Sequence, residues 1–196
     1  MASMPKRIAI IQGHPDAHER HFGHALAKAY TDGALAAGHE VRTITVAELD
    51  FPLLRSRHDW VENTPPAIVQ AQETVRWAEH IVILYPLWLG DMPALLKGFL
   101  EQLLRPGFAF DESNAKPMPK KLLTGRSARV VVTMGMPGFF YKWYFRAHSL
   151  KSLERNILGF AGFKPIESTI IGAVEADADA RAKWLDDMVM LGRKAQ

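Results

Sequence analysis

Four histidines fall within eleven residues, His14, His18, His21 and His24, with Arg20 among them. Imidazoles and a guanidinium at the mouth of a helix can hold phosphate, because unpaired N–H groups and the positive end of the helix dipole already point there. A metal reading competes, since His21 and His24 at i, i+3 share a helix face. No fixed carboxylate partner is visible in the sequence, and we expect no metal. The plain alternative is a set of solvated or phosphate-facing side chains on an ordinary loop.

Two further groups invite chemistry. Pro86-Leu-Trp-Leu-Gly90 is apolar where a loop is normally polar. Met136, Pro137 and Gly138 form a second loop, with Tyr141, Tyr144 and His148 just beyond it. An isoalloxazine ring would need an apolar wall, backbone groups aimed at its polar edge and one open face for a second flat molecule. These two loops can supply all three. Trp88, Phe139, Phe140, Trp143 and Phe145 also read as core or dimer contacts, and for Phe139, Phe140 and Phe145 we expect that role.

Composition narrows the chemistry. With no cysteine, disulfides, iron–sulfur clusters, thiol nucleophiles and thiolate zinc sites are excluded, so redox work requires a bound cofactor. Net charge is +3, without a basic block or aromatic-basic interleaving, which argues against nucleic acid and suits a phosphorylated small molecule. No apolar run approaches the roughly 20 residues that span a bilayer, and Met1 to Arg7 has no signal-peptide core. We expect a cytoplasmic protein without membrane insertion, and a single domain over 1–196 in which 1–5 are a disordered or expression-derived tail.

The elements that must position these groups alternate. Arg7 to Gln12 reads as a buried strand, followed by the loop 13–20 and a helix from about His21 to Ala37 with Phe22, Ala25, Leu26, Ala29 and Tyr30 on one face. Glu40 to Val46 is the second strand. A long connection from Ala47 to Asn63 follows, then a helix to about Ala78. Ile81 to Tyr85 is the third strand, ended by Pro86. Asp91 reads as the next N-cap and Pro93 as a first-turn residue; Leu95, Leu96, Phe99, Leu100, Leu103 and Leu104 form that helix's apolar face. Phe108 and Phe110 anchor a polar surface excursion from Asp111 to Lys121. Arg129 to Met134 and Pro165 to Ile171 are the last strands, separated by an aromatic, largely helical stretch from Phe139 to Phe160. A helix from Asp177 to Arg193, with Ala180, Trp184, Met188 and Leu191 inward, closes the chain. Strand and helix in alternation give an α/β doubly wound sandwich, with five parallel strands in flavodoxin-like order. Ligands in such sheets bind beyond the carboxyl ends of the strands, at loops 13–20, 86–91 and 134–139. The first loop lacks both G-x-G-x-x-G and G-x-x-x-x-G-K-[ST], so neither a dinucleotide Rossmann site nor a P-loop is present.

Several segments together resemble the NAD(P)H:quinone oxidoreductase family, the DT-diaphorase-like flavodoxin-fold flavoproteins and their short bacterial relatives. They are Gly13-His-Pro with His21-Phe22, Asp50-Phe-Pro-Leu-Leu54, Tyr85 to Gly98, Arg105-Pro-Gly-Phe-Ala-Phe110, Thr133-Met-Gly-Met-Pro137 and Leu153 to Gly162. The resemblance implies a homodimer with flavin at the subunit interface. It implies that His14, His21, Phe22 and Gly23 hold the flavin's phosphate and ribityl portion. Pro86, Leu87, Trp88 and Leu89 would hold the ring, and Thr133, Gly135 and Met136 its pyrimidine edge. His21 and Gly23 stand where relatives often carry Ser and Asn. It implies a catalytic pair of His148 with either Tyr141 or Tyr144, between which the sequence does not decide. The activity implied is hydride transfer from NADH or NADPH to FMN or FAD, with a lean to FAD. Two-electron reduction of a quinone-like acceptor at the same face would follow in ping-pong order. Alternatives are a flavodoxin-like electron carrier and an ancillary regulatory subunit of a potassium-efflux antiporter.

Overall fold

Along β1 (Arg7–Gln12), Ile8 and Ile10 join one apolar layer while Ala9 and Ile11 join another, as in a parallel strand covered on both faces. The structure, a computed structural model, describes residues 4–113, 119–175 and 178–196. Residues 1–3 of the expected tail, 114–118 of the expected excursion and Asp177 at the expected start of the last helix lie outside them. Beside β1 stand β2 (Glu40–Thr45) and β3 (His80–Pro86); further along come a short antiparallel pair, β4 (Phe110–Asp111) and β5 (Lys120–Lys121), then β6 (Ser127–Thr133) and β7 (Ile166–Ile171). The five-stranded sheet has the order β2-β1-β3-β6-β7, every pair parallel. This is the expected flavodoxin-like order.

Helices cover both faces. α1 (Phe22–Ala36) and the last helix, α8 (Ala178–Lys194), enclose one layer around Leu26, Tyr30 and Met188. Their close approach requires Gly33 and Gly192, because a Cβ on either would collide with the opposite backbone carbonyl, at Val189 and Tyr30 respectively. On the other face, α2 (Arg57–Val61) is a single turn in the long connection, and α3 (Pro66–Trp77) and α4 (Ala94–Leu103) bury Ile68, Val75, Leu96, Phe99, Leu100 and Leu103. Each such side chain is worth about 1.5–3 kcal/mol when fully buried. Arg105 ties the connection down from within: its Nη1 donates to the carbonyls of Trp60 and Glu62 and to Thr64 Oγ1, and Gln102 donates to the Pro52 carbonyl at 2.6 Å.

One expectation needs correction. Asp91 does not cap α4; Pro93 occupies the N-cap position, and the Asp91 carboxylate instead accepts from the Met92 N–H at 2.7 Å. The stretch 139–160 is largely helical, as expected, but in several short pieces. α5 (Gly138–Trp143) is separated from α6 (His148–Ser152) by Arg146 and Ala147, both left-handed, after which a π-helical turn and α7 (Gly159–Ala161) follow. Of the core or dimer-contact roles expected for Phe139, Phe140 and Phe145, the core role does not hold within the chain, where they are 73%, 39% and 41% exposed.

Candidate functional site at the carboxyl edge of the sheet

Loop one begins where β1 ends, and Gln12 fixes it to the helix it enters. The Gln12 amide donates to the Gly23 carbonyl at 3.0 Å while its oxygen accepts from the His14 N–H at 3.1 Å. His14 is buried, its Nδ1 held by the Asp16 backbone, and its ring stacks on His21 with centroids 3.8 Å apart. His21 Nε2 meets Asp16 Oδ2 at 2.9 Å, and Asp16 Oδ1 accepts from the His18 N–H at 2.8 Å. These bonds, the His21 one foremost, hold the Asp16 carboxyl down at about 2. Burial, then the neighbouring His21, depresses the His14 pKa. The carboxylate partner that the sequence did not reveal is therefore Asp16, only five residues before His21. Glu19 joins them so that one ligand atom from each lies within 4.8 Å of the others. His24 completes the cluster, its Nδ1 facing the His21 N–H at 3.4 Å. Phe22 and Gly23 open α1, and the first N–H groups of a helix have no partner within it.

Loop two is a tight hairpin. Trp88 and Asp91 exchange backbone bonds of 2.8 and 3.0 Å, and between them Leu89 and Gly90 both have positive φ, 48° and 83°. That is the geometry of a type I′ turn, in which Leu pays for its Cβ. Leu89 consequently projects fully into solvent and Trp88 is 50% exposed, while Leu87 packs on the core. The turn was invisible in the sequence because nothing but Gly90 marks it. Trp88 also lies edge-on to His14, with centroids 6.0 Å apart, so loops one and two touch.

Loop three is braced from both sides. The Leu87 N–H donates to the Thr133 carbonyl at 2.7 Å, extending the Pro86–Thr133 register across into loop two. The exit of β7 supplies the other brace, through Met134 N–H to Ile171 O and Ala173 N–H to Met136 O. Gly135 stands exposed between these braces, and a Cβ built there would meet no described atom within 4 Å. The same holds for Gly23. Both glycines are bare where side chains would fit.

Beyond loop three the two tyrosines part company. Tyr141 is 1% exposed, its hydroxyl 2.8 Å from Ser149 Oγ and accepting from the Leu150 N–H. Tyr144 is 63% exposed and stacks on Phe140. His148 opens α6 as an exposed side chain directly after the left-handed pair. The structure thus gathers His14, His21, Phe22, Gly23, Pro86, Leu87, Trp88, Leu89, Thr133, Gly135 and Met136 at one edge of the sheet. Gln12 and Asp16, which position them, were missed, and only their places beside Gly13-His-Pro could have signalled them. A groove of about 680 Å³ lies elsewhere, between the 47–63 connection, α4 and the π-helical turn, lined by Leu54, Trp60, Leu100, Phe110 and Phe160.

The chain matches the family model described as Flavodoxin-like fold over residues 6–189. It is 28% identical over 185 residues to an uncharacterized NAD(P)H oxidoreductase of Haemophilus influenzae, covering 91% of this chain and 90% of that one. It is 25% identical to the rat NAD(P)H dehydrogenase [quinone] 1 over 92% of this chain and 74% of that one. It is also 33% identical to an FMN-dependent NADH:quinone oxidoreductase of Mycoplasma genitalium, over 50% of this chain and 49% of that one. Among solved structures, an NAD(P)H:quinone oxidoreductase from Methanothermobacter marburgensis superposes with a TM-score of 0.82 at 22% identity, covering 97% of each chain.

Proposed function

From the premise that this chain belongs to the flavodoxin-like fold family, which its match over residues 6–189 establishes, we propose that it is a cytoplasmic, single-domain NAD(P)H:quinone oxidoreductase. Its cofactor is a flavin held at the carboxyl edge of the sheet. The observation that carries this reading is the bare backbone at Gly23 and Gly135, beside a loop two locked to loop three through Leu87 and Thr133. Glycine without a left-handed φ and without a neighbour is not needed by the fold, and it suits close approach of a ligand to backbone.

A bound flavin supplies the hydride-accepting and hydride-donating chemistry between NADH or NADPH and a flat acceptor. The protein's part is to bind and orient. The N–H groups of Phe22 and Gly23, with Arg20 and His21 nearby, hold the phosphate. Pro86, Leu87, Trp88 and Leu89 wall the ring, and Thr133, Gly135 and Met136 present backbone to its pyrimidine edge. His148, exposed beyond loop three, would deliver a proton to the acceptor side together with Tyr141 or Tyr144. Stacking two flat molecules in attack geometry provides most of the acceleration. No resident metal is required. The FMN-dependent relative favours FMN, so the lean to FAD made on the sequence is not kept.

The working unit in this reading is a homodimer. The groove over Trp60, Phe110 and Phe160 is the surface assigned to the second copy. The test is cofactor release and mass analysis of the purified protein, followed by NADH and NADPH oxidation with a soluble quinone. Bound FMN and quinone-dependent turnover are expected. A colourless protein that takes up no flavin on reconstitution refutes the reading. Bound flavin without NAD(P)H oxidation would instead favour an electron carrier.

A further inference from the structure

The segment that follows loop three carries more exposed aromatic surface than a ring site can use. Phe139, Trp143 and Tyr144 are 73%, 78% and 63% exposed, and Phe140 and Phe145 add further uncovered area. Phe140 and Tyr144 stack at 5.1 Å, with Phe145 set edge-on to both, so the rings form one rigid patch. Contiguous exposed apolar surface of this kind on a folded domain marks an interaction site.

Its charge says what the partner is. From Met134 to Leu153 the sequence holds Lys142, Arg146, His148 and Lys151 and not one Asp or Glu. All four side chains are exposed, and no ion pair among the described residues joins Lys142, Arg146 or Lys151 to a carboxylate. The carboxylates at the same edge of the sheet are Asp16, which is held by His21, with Glu19 and Asp91 on loops one and two, Glu154 just past Lys151, and Glu175 after β7. Contrary to the expectation of no aromatic-basic interleaving, Phe, Tyr and Trp here alternate with Lys and Arg, the residues that settle at a lipid–water boundary, rings at the headgroup level and cations among anionic phosphates. No helix among the described residues is long and apolar enough to cross a membrane, so contact would be with one leaflet only.

We propose that α5, the left-handed Arg146–Ala147 turn and the start of α6 form a docking face for an anionic lipid surface. The surface itself stands independently of the flavin reading. Its use rests on that reading: docking would present the edge that carries His148 to flat acceptors dissolved in the bilayer.

The experiment sediments the purified holoprotein with vesicles of mixed phosphatidylglycerol and phosphatidylcholine, or of phosphatidylcholine alone. Binding to the anionic vesicles at low salt is expected, with at least a tenfold loss on neutral vesicles or in 0.5 M salt. The double variant Phe139→Ser with Trp143→Ser should lose tenfold or more; both residues are exposed, so folding is not at stake. Lys142→Glu combined with Lys151→Glu should lose at least about fivefold per basic side chain removed. Absence of binding to anionic vesicles, or equal binding by the aromatic double variant, overturns the proposal. So does a change of oligomeric state in that variant without any change on vesicles, since the patch would then be covered by a second copy. Turnover with a water-soluble quinone and no vesicles is measured alongside, so failure of the lipid face and failure of the oxidoreductase reading are told apart.

Discussion

Gly135→Ala separates what the fold needs from what a ligand needs. Gly135 does not adopt a left-handed φ, and its added Cβ would meet no described atom within 4 Å. Alanine should therefore be accepted by the folded apoprotein. Restricting the unfolded chain then stabilises the native state by about 0.4–1 kcal/mol. At about 2–4 °C per kcal/mol for a chain of this size, the apoprotein melting temperature should rise by roughly 1–4 °C. The same methyl group stands where the flavin's pyrimidine edge would approach the backbone. Displacing that edge should weaken FMN by about 10- to 100-fold, which is about 1.4–2.8 kcal/mol. Gly138→Ala is the control: its Cβ would make an ordinary contact with Ile170 Cγ2 at 3.4 Å, and it should leave FMN affinity unchanged. Thermal unfolding of apoprotein and FMN titration by fluorescence quenching read the two quantities separately. A melting temperature that falls by several degrees would mean the glycine serves the fold, and an FMN affinity within twofold of the parent would mean no flavin edge lies there. Either result refutes the reasoning.

Other consequences are equally direct. Tyr141→Phe strips a buried hydroxyl from Ser149 and the Leu150 N–H and should cost about 1–2 kcal/mol in denaturant unfolding, whereas Tyr144→Phe should stay within about 0.5 kcal/mol. Whichever of the two also slows acceptor reduction at unchanged flavin content is the partner of His148. His148→Ala should slow the quinone half-reaction by about 10²-fold or more while flavin is retained; unchanged stopped-flow rates would remove it from the mechanism. Trp88→Asp, at a half-exposed site, should barely alter folding but weaken FMN at least about tenfold by setting a charge against an apolar ring. The buried His80, whose Nε2 has no hydrogen-bond partner among the described residues, is depressed to about 3, chiefly by burial. Its contribution is complete above about pH 6.5 and is lost as pH falls toward 3, where the unfolded chain binds a proton that the native state refuses. At about 1.4 kcal/mol per unit, that loss is on the order of 4–5 kcal/mol. His80→Gln should flatten the pH dependence of unfolding across this interval, and an unaltered slope would show that His80 is not its source.

The sheet was legible because its strands are buried on both faces. Ile8 to Ile11, Ile81 to Tyr85 and Val130 to Val132 are apolar runs that water would not tolerate on either side, and their order with the helices fixes the crossover topology. What escaped were features set by backbone geometry. The Leu89-Gly90 turn places a leucine in a left-handed conformation that no propensity favours, and Arg146 with Ala147 breaks the aromatic stretch without a glycine or proline to announce it. For the aromatic residues beyond loop three, the core alternative among those expected for Phe139, Phe140 and Phe145 failed within the chain. Hydrophobic type predicts burial on average, and only coordinates reveal that Phe139, Trp143 and Tyr144 stand exposed.

The histidine cluster shows most clearly how composition alone misleads about a site. Four imidazoles suggest either a metal or a block of positive charge. In the folded chain a block of positive charge does not follow directly. His14 is buried against His21, and both burial and that neighbour disfavour its protonated form. The His21 imidazole is engaged by Asp16, whose carboxylate stays ionised to about pH 2 and offsets any charge His21 gains. The buried His14 therefore brings shape and hydrogen bonds more than charge. An anion at this edge would be held by the open N–H groups of Phe22 and Gly23 and by the α1 dipole, with the imidazoles as a stacked wall. On this argument His21→Ser, which restores a hydroxyl at the N-cap of α1, should keep or strengthen FMN binding at pH 7 as measured by titration. A loss of tenfold or more would show that the imidazole carries charge to the phosphate after all.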